Sequence, residues 1–600
     1  AIKNICFLPR ISDVFCIIED KASIINKELA IINLKESPLK TWLKQASPDP
    51  THLEALASEL SGNSALATFL LQHNMRTLED VKGFIHGTPL AQVNPLLMAD
   101  MDKASLRLAK ARENKEHVML FGDYDVDGTT AVSVGKIALE QGGWSLSTYI
   151  PDRYTEGYGL SQQGIDAALE RGATLMITLD CGIKAHDLIG QAQSKGIDVI
   201  VTDHHQPGKE LPPAFAVVDP MRNDCEYPEK SLSGCGVGYM LWRSTYAKAG
   251  LDPHDLDELL DLVAVSIGAD MVPILGLNRW MVRQGLQRIN ERSRASLQAL
   301  LQGRLDKGPV NLQDVVFSIG PRINAAGRMH HGHLAVDLLC TPNPQLLKDL
   351  GQNIEAFNAQ RRLTEQQVLD EALTMAESFI DDVALVLCKK GWHKGVLGIV
   401  AQRLVQAFHK PVVVLTEHEG VLAGSARTAD GLDLYQALDD SSSHLTQFGG
   451  HRAAAGMTLL PKNLLAFRQA FNEAADHLWP EAKRQPSLRI DALLSVKELS
   501  VELCTLLERL EPFGMGFPSP LWGLRNVRLQ NISKPGQGKH LKADVVDPQT
   551  GDRVSGIGFN MGHLPWIEQA VDVAVHLEWN HFRGSQTRQL RFVDLQPHGQ

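Results

Sequence analysis

Four apolar runs in the first half of the chain end in acid. VMLFG at 118 to 122 leads into Asp123, Asp125 and Asp127 at alternate positions; LMITLD ends at Asp180, VIVTDHH at Asp203, His204 and His205, and LVAVSIGAD at Asp270. Near-continuous apolar runs bounded by turn residues predict strands buried on both faces, as in a parallel sheet. Helical patterns between them make residues 116 to 340 an α/β domain. Before it, LEALASEL, ALATFLLQHNM and TLEDVKGFIHG carry apolar residues at three and four spacing, so the N-terminal region to residue 115 is helical, with 1 to 35 unassigned. Those helices either cover one side of a cleft or pack as plain helices. After it, LLKDLGQNIEAFNAQRRL begins a long polar-rich helix within 341 to 379, a connector between lobes. A strand, glycine-rich loop, helix and strand then open a second α/β lobe over 380 to 480. From 486 to 600 the period changes to two, with LWGLRNVRLQNI, HLKADVVD, RVSGIGFN, VDVAVHLEWN and RQLRFVDLQ separated by turns: a small β-barrel.

Length agrees with several domains, since 600 residues exceed what one core accommodates. At 44% hydrophobic and 22% charged the composition is that of a folded globular chain. A net charge of −11 speaks weakly against nucleic acid, because bound cations offset charge and DNA reads local surface, not the total. Eight cysteines without a C-x-x-C pair indicate neither a zinc knuckle nor a disulfide scaffold and fit a reducing cytoplasm. No run is long enough to span a membrane and no signal segment opens the chain.

Strand C-termini of a parallel sheet open onto one edge, which brings these acids together. One Asp after a strand is commonly a helix N-cap, and Asp123 alone would be read that way. Several such ends, one carrying Asp-His-His, would repel each other unless cations held them. Hard oxygen ligands with imidazole suit manganese or magnesium, and two cations sharing a carboxylate hydrolyse phosphoesters in line. Two other patterns have bland readings. Gly234 to Gly238, GCGVG, follows a loop and is close packing at a helix start, not a dinucleotide fingerprint; His330, His331 and His333 form a solvated turn.

The motifs DYDVDG at 123 to 128, Asp180-Cys181-Gly182, Asp203-His204-His205 and Gly268-Ala269-Asp270 resemble those of the DHH phosphoesterase superfamily. EGYGLS at 156, SIGPRINAAGR at 318, GWHKGVLGIVAQRL at 392, GSART at 424 and FGGHRAAAG at 448 narrow the resemblance, over residues 40 to 600, to the RecJ family of bacterial single-strand-specific exonucleases. The resemblance implies a DHH catalytic domain, a connector helix, a DHH-associated domain and an OB-fold barrel. It implies two divalent cations, manganese or magnesium, on Asp123, Asp125, Asp180, His204 and Asp270, with Asp180 bridging by analogy. His205 would contact the scissile phosphate or a metal, and Asp127 and Asp203 would support the ligands. Arg153, Arg328, His393, Ser425 and Arg427 would line the path of the strand, and the turns carrying Ser425, Arg427 and His451 would hold phosphate. On the barrel, Lys534, Lys539, Lys542, Arg553, Phe559, Phe582 and Arg583 suit charge and stacking contacts with single strands.

The implied activity is hydrolysis of single-stranded DNA from the 5′ end to 5′-mononucleotides, in DNA repair and recombination, by a cytoplasmic monomer. The implied partners are single-stranded DNA, a single-strand-binding protein and a RecQ-type helicase, with no membrane. Two alternatives stay open: a DHH phosphodiesterase acting on short oligoribonucleotides or cyclic dinucleotides, which has no need of the barrel, and a non-catalytic replication scaffold, which would have lost ligands. Cys181 stands where the family usually has Asn, and Gly268 where Val is commoner; neither is a ligand position.

Overall fold

The computed structural model describes residues 40–305, 308–564, 567–582 and 584–599. The unassigned segment 1 to 35, Arg583 and the side chain of Phe582 lie outside the described residues. The chain enters through β1 (Thr41–Lys44), followed by helices Pro50–Glu59, Ser64–Gln72 and Leu78–His86. Their apolar faces do not cover the catalytic cleft: Leu56, Phe69 and Leu70 share one core with Phe517, Trp522 and Val573 of the C-terminal region. The Phe69 and Phe517 ring centroids lie 5.3 Å apart.

The first sheet comprises β2 (His117–Gly122), β3 (Ser145–Tyr149), β4 (Ala173–Leu179), β5 (Asp198–Thr202) and β6 (Ala216–Val218), ordered β3-β2-β4-β5-β6 and wholly parallel. Along β2, Val118 and Leu120 enter one core while Met119 and Phe121 enter another, so both faces are covered. That burial explains why the run shows no alternation. LVAVSIGAD is a helix, Leu260–Ala269, and not a strand. Every residue from Leu260 to Gly268 is buried, and an all-buried helix cannot be told from a buried strand by periodicity.

The connector is one helix, Pro344–Ala376, capped by Asn343. It leads to a second sheet of β7 (Leu385–Cys388), β8 (Val412–His418), β9 (Val421–Arg427), β10 (Gln447–Gly450) and β11 (Ala454–Leu459) in the order β10-β11-β9-β8-β7. A short strand, β12 (Ser487–Ile490), pairs with β1 and leads to β13 (Ala492–Leu493). The barrel strands are β14 (Trp522–Ser533), β15 (Leu541–Val546), β16 (Arg553–Gly558), β17 (Ala570–Phe582) and β18 (Ser585–Pro597). Pairing of β14 with β17 closes the barrel, which removes its exposed edges. Among the described residues no helix is long and apolar enough to cross a membrane.

One buried cation ties the barrel region to the catalytic domain. Arg279, with no exposed surface, donates to the carbonyls of Pro512 at 2.9 Å and Leu510 at 2.5 Å, and its guanidinium lies 4.1 Å from the Phe84 ring centre. Burial, and then the charge of Arg283, hold that guanidinium down to about 9. Removing it would orphan helix-terminal carbonyls and open a cavity among the rings. Arg279→Ala should therefore cost about 2–4 kcal/mol, read as a lowered Tm, whereas Arg283→Ala should cost well under half of that. Equal losses would show that Arg279 is not the tie.

Candidate metal centre and phosphate cleft

The sheet edge gathers the acids as each strand ends. Asp125 is the N-cap of helix Val126–Gln141, accepting from the Gly128 N–H at 3.1 Å, so the cap reading is correct there and does not exclude a second role. Asp127, in the first turn of that helix, is already bonded: Oδ2 accepts from the Gly234 N–H at 2.7 Å, and Oδ1 from the Cys235 N–H at 2.8 Å and the Ser266 hydroxyl at 2.6 Å. Its carboxylate thus staples helices Gly234–Lys248 and Leu260–Ala269 beneath the edge. Asp180 takes a left-handed backbone, φ +61, just after β4. Gly234 allows this packing, since a Cβ there would lie 2.5 Å from the Asp180 Cβ.

After β5, Asp203 is fully occupied. Oδ2 accepts from the Ile183 N–H at 2.9 Å; Oδ1 accepts from the His204 N–H at 2.8 Å and from His205 Nδ1–H at 2.7 Å. Burial pushes the Asp203 carboxyl upward, but these bonds, His205 first, bring it below the ordinary carboxylate value. Conversely, burial opposes charge on His205 while the Asp203 bond and charge prevail, raising the imidazole to about 9. The pair fixes which His205 nitrogen faces the cleft: Nε2, 3.3 Å from the Tyr158 hydroxyl.

His204 Nε2 lies 3.2 Å from Asp180 Oδ1, 3.6 Å from Asp270 Oδ2 and 3.8 Å from Asp127 Oδ2. Three groups place ligand atoms within 4.8 Å of one another: Asp123, Asp125 and Asp180; Asp180, His204 and His205; and Asp127, His204 and Asp270. Asp180 belongs to two of them. Both Asp123 oxygens, Asp180 Oδ1, Asp270 Oδ2 and His204 Nε2 are buried without a hydrogen-bond partner. Burial, followed by the neighbouring carboxylates, raises Asp123 and Asp180 well above the ordinary range and Asp270 to about 9. Buried acids this close, short of donors and beside imidazole, are what hard divalent cations satisfy; the donor set fits them. Asp127, with three bonds already, fits a supporting role better than a ligand's.

That electrostatic burden predicts a linkage. A carboxyl raised when folded adds stability below its unfolded value, near 4, and loses it as pH rises through about 9, as for Asp270. The metal-free protein should therefore be less stable at pH 8 than at pH 6, and manganese should raise Tm more at pH 8, where protons compete less. A gain independent of pH, measured by thermal scans against a chelator control, would place the metal elsewhere.

A cationic cluster drawn from the first domain, the connector and the second lobe adjoins this edge. Arg153 stacks on Tyr124 with its guanidinium 3.9 Å from the ring centre, and its Nε is buried without a partner. Arg328 donates Nη1 to the Gly395 carbonyl at 2.8 Å, bridging the lobes. Burial, then Arg153, Arg361 and more weakly Arg427, push the Arg328 guanidinium down to about 9. Arg427 donates Nη1 to the Ser425 hydroxyl at 3.0 Å and to the Ala426 carbonyl at 2.7 Å. Ser425 and Arg427 lie on β9 and not in a turn; two residues apart, they share one face, over Gly398 in the first turn of helix Leu397–Phe408. His393 caps that segment, with Nδ1 accepting from the Gly395 N–H at 3.1 Å. His451, at the turn after β10, is held below its ordinary value by burial, then by Arg427 and His205.

Sequence reading missed several members. Asp219, just after β6, is buried with Oδ2 unpartnered and is raised to about 7 by burial. Its strand has three residues, too few for a period. Tyr158 was within the quoted EGYGLS motif, and Arg361 within the connector, but neither signal named the side chain.

Comparison with known families places the DHH family N-terminal domain at residues 117–267, the DHHA1 domain at 381–476 and the RecJ OB domain at 490–594. The single-stranded-DNA-specific exonuclease RecJ of Bacillus subtilis is 36% identical over 522 residues, 86% of this chain and 65% of that protein. The Salmonella typhimurium protein of the same name is 34% identical over 525 residues, 83% of this chain and 91% of its own length. The crystal structure of Thermus thermophilus RecJ in complex with Mn2+ superposes with a TM-score of 0.80 at 29% identity, covering 93% of this chain and 79% of that one.

Proposed function

The chain belongs to the RecJ family, and on that premise we propose that it is a metal-dependent exonuclease that hydrolyses single-stranded DNA from the 5′ end, releasing 5′-mononucleotides. The observation carrying the proposal is the row of buried, unpartnered donor atoms on Asp123, Asp180, Asp270 and His204 at one sheet edge, opposite clustered guanidiniums. The relatives named as single-stranded-DNA-specific exonucleases support the substrate, and the manganese-bound Thermus structure supports the cofactor.

Asp123, Asp125, Asp180, His204 and Asp270 would hold two divalent cations, manganese or magnesium. Bound there, the cations would supply Lewis-acid polarisation of the scissile phosphate and a lowered pKa for an attacking water. The chain's own groups do the rest. His205, with Nε2 toward the cleft, would contact the scissile phosphate or a metal; Asp203 orients its ring through Nδ1. Asp127 fixes the edge itself. Arg153, Arg328, Ser425, Arg427, His393 and His451 would line the strand's path, with Ser425 and Arg427 taking the terminal phosphate. Nucleotides farther along would pass the apolar groove of about 310 Å³ lined by Met271, Phe317 and Met515 and reach the barrel. The proposed domain division is the one expected from the sequence, with residues 116–340 catalytic and 486–600 binding. A cytoplasmic monomer working with a single-strand-binding protein and a helicase completes the reading; sedimentation and pull-down with those two proteins test that part.

The barrel's role has its own test. Deleting it would strip the core from the N-terminal helices, so point variants are needed. Phe559 is 55% exposed, its ring 5.3 Å from that of His540, near Lys539 and Lys542. Lys539→Ala, Lys542→Ala and Phe559→Ala combined should weaken binding of long single strands by roughly 10–100-fold, with a shallower salt slope, because fewer counterions are released. Short strands confined to the cleft should change little. Equal losses on both would make that face structural.

A further inference from the structure

The histidine segment read as a solvated turn forms part of a cavity. Lys136, Arg171, His331 and His333, with Ser147, Thr148 and Ile150, line an open pocket of about 550 Å³ against the edge strand β3. The volume is that of a small-ligand site, and the mixed wall carries the two cations Lys136 and Arg171. The basic side chains come from four separate places: helix Val126–Gln141, the C-cap after helix Gln162–Glu170, the 330–332 turn and the start of helix His333–Cys340. Two are partly offset, Lys136 by Glu140 and His333 by Asp337 at 3.6 Å. Arg171 is not. It donates Nη1 to the Thr148 carbonyl at 3.0 Å, a neutral partner, and among the described residues no carboxylate forms an ion pair with it.

We propose that this cavity is a second phosphate site that takes a free nucleotide through its phosphomonoester, with Arg171 and His333 as the recognition pair and the mononucleotide product of the reaction as the natural occupant. The phosphate chemistry stands on the cavity; the naming of the product rests on the exonuclease reading. A fork of guanidinium donors beside imidazole and hydroxyls matches a terminal phosphate better than an internal one, which carries less charge. The volume leaves room for a sugar and base. A strand running to the metals has no need of this cavity, which opens behind the wall that Tyr124 shares with it.

That wall gives occupancy a route to the reaction. Gly332, between the two histidines, packs so tightly that a Cβ would lie 2.9 Å from Ile150 Cγ2 and 3.4 Å from the Cβ of Tyr124. Tyr124 stands between Asp123 and Asp125 and carries Arg153 on its ring. A ligand that draws His331 and His333 into the cavity shifts the backbone that backs Tyr124, so nucleotide should slow turnover without competing for the strand.

Titration calorimetry of the full metal-free chain tests binding without turnover. In the Arg427→Ala background, which empties the cleft's own phosphate pocket, thymidine 5′-monophosphate should still bind one site. Adding Arg171→Ala and His333→Gln should weaken that site about tenfold or more, the scale of one charge-assisted contact. Thymidine should not bind, and inorganic phosphate should bind more weakly than the nucleotide. In the otherwise native enzyme, Arg171→Ala with His333→Gln should leave the uninhibited rate on single strands within about twofold and abolish the non-competitive part of inhibition by the nucleotide. Unchanged nucleotide affinity in the Arg171→Ala, His333→Gln protein would overturn the site. Phosphate binding as tightly as the nucleotide would overturn its assignment to a nucleotide, and loss of single-strand affinity in that variant would make the cavity part of the DNA path instead.

Discussion

Asp180→Ala should abolish turnover of single-stranded DNA, a loss on the order of 10³-fold or more, because Lewis-acid stabilisation at such a site contributes several kcal/mol. Asp180 is common to two of the ligand groups, 2% exposed, with Oδ1 3.2 Å from His204 Nε2 and without a hydrogen-bond partner. His204 also belongs to two groups, but its one free ring nitrogen binds a single cation, whereas a carboxylate can bridge two. The fold should survive. The Asp180 carboxyl, raised by burial and by Asp127, Asp125 and Asp270, is an electrostatic burden on the metal-free protein. The separable cost is the backbone, since φ +61 suits Asn better than Ala. Asp180→Asn should therefore match the metal-free wild type in Tm or exceed it, while remaining inactive. Near-normal turnover of Asp180→Ala with manganese present would show that the cations are held elsewhere.

Arg427→Ala should reduce kcat/KM most on 5′-phosphorylated strands, by roughly the 1.5–3 kcal/mol of a hydrogen bond to a charged group, about 10–150-fold. Its guanidinium is already aimed: Nη1 holds the Ser425 hydroxyl at 3.0 Å, and both sit over the start of helix Leu397–Phe408. Burial lowers the Arg427 guanidinium, the cost of holding a cation ready for an anion. A 5′-hydroxyl strand offers no terminal phosphate, so the variant should lose less there and the preference between ends should narrow. Equal losses on both strands would move the terminal pocket away from β9. Arg427→Lys tests the fork separately, since a point charge in place of paired donors should recover only part of the loss.

Much of the metal edge was legible because a parallel sheet writes itself plainly: strands buried on both faces are unbroken apolar runs, and an acid closing such a run stands out. Asp123, Asp180 and Asp203 were found by that logic. Asp270 was found by the same logic for a wrong structural reason, since its apolar run is the buried helix Leu260–Ala269. The position survived because either element delivers its last residue to the same edge. Ser425 and Arg427 were legible only through resemblance; on β9 small residues blur the alternation that marks a strand, so the segment looked like a turn. Asp127 shows the opposite limit. The resemblance gave it a supporting role without naming its partners, and the helix that begins at Val126 turns it onto Gly234, Cys235 and Ser266.

What remained hidden is mostly contact between distant segments. An amphipathic helix announces that it has a partner without saying which, so the packing of Leu56 and Phe69 with the barrel could not be foreseen. The bridge from Arg328 to the Gly395 carbonyl and the pressure of Arg361 on Arg328 arise only when the connector folds the lobes together. Asp219 and Arg171 belong to no quoted motif, and their environments, one unpartnered oxygen and one guanidinium on a neutral carbonyl, exist only in three dimensions.

The central claim, a metal-dependent nuclease that works from the 5′ end of single strands, is tested most directly by one time course. Single-stranded DNA labelled at either end is incubated with the protein and manganese, with a chelator and a matched duplex as controls. The expected result is immediate release of a labelled mononucleotide from the 5′-labelled strand, and progressive shortening of the 3′-labelled strand, with the duplex and the chelated reaction inert. Immediate release of mononucleotide from the 3′ label, or equal cutting with the cations removed, would contradict it.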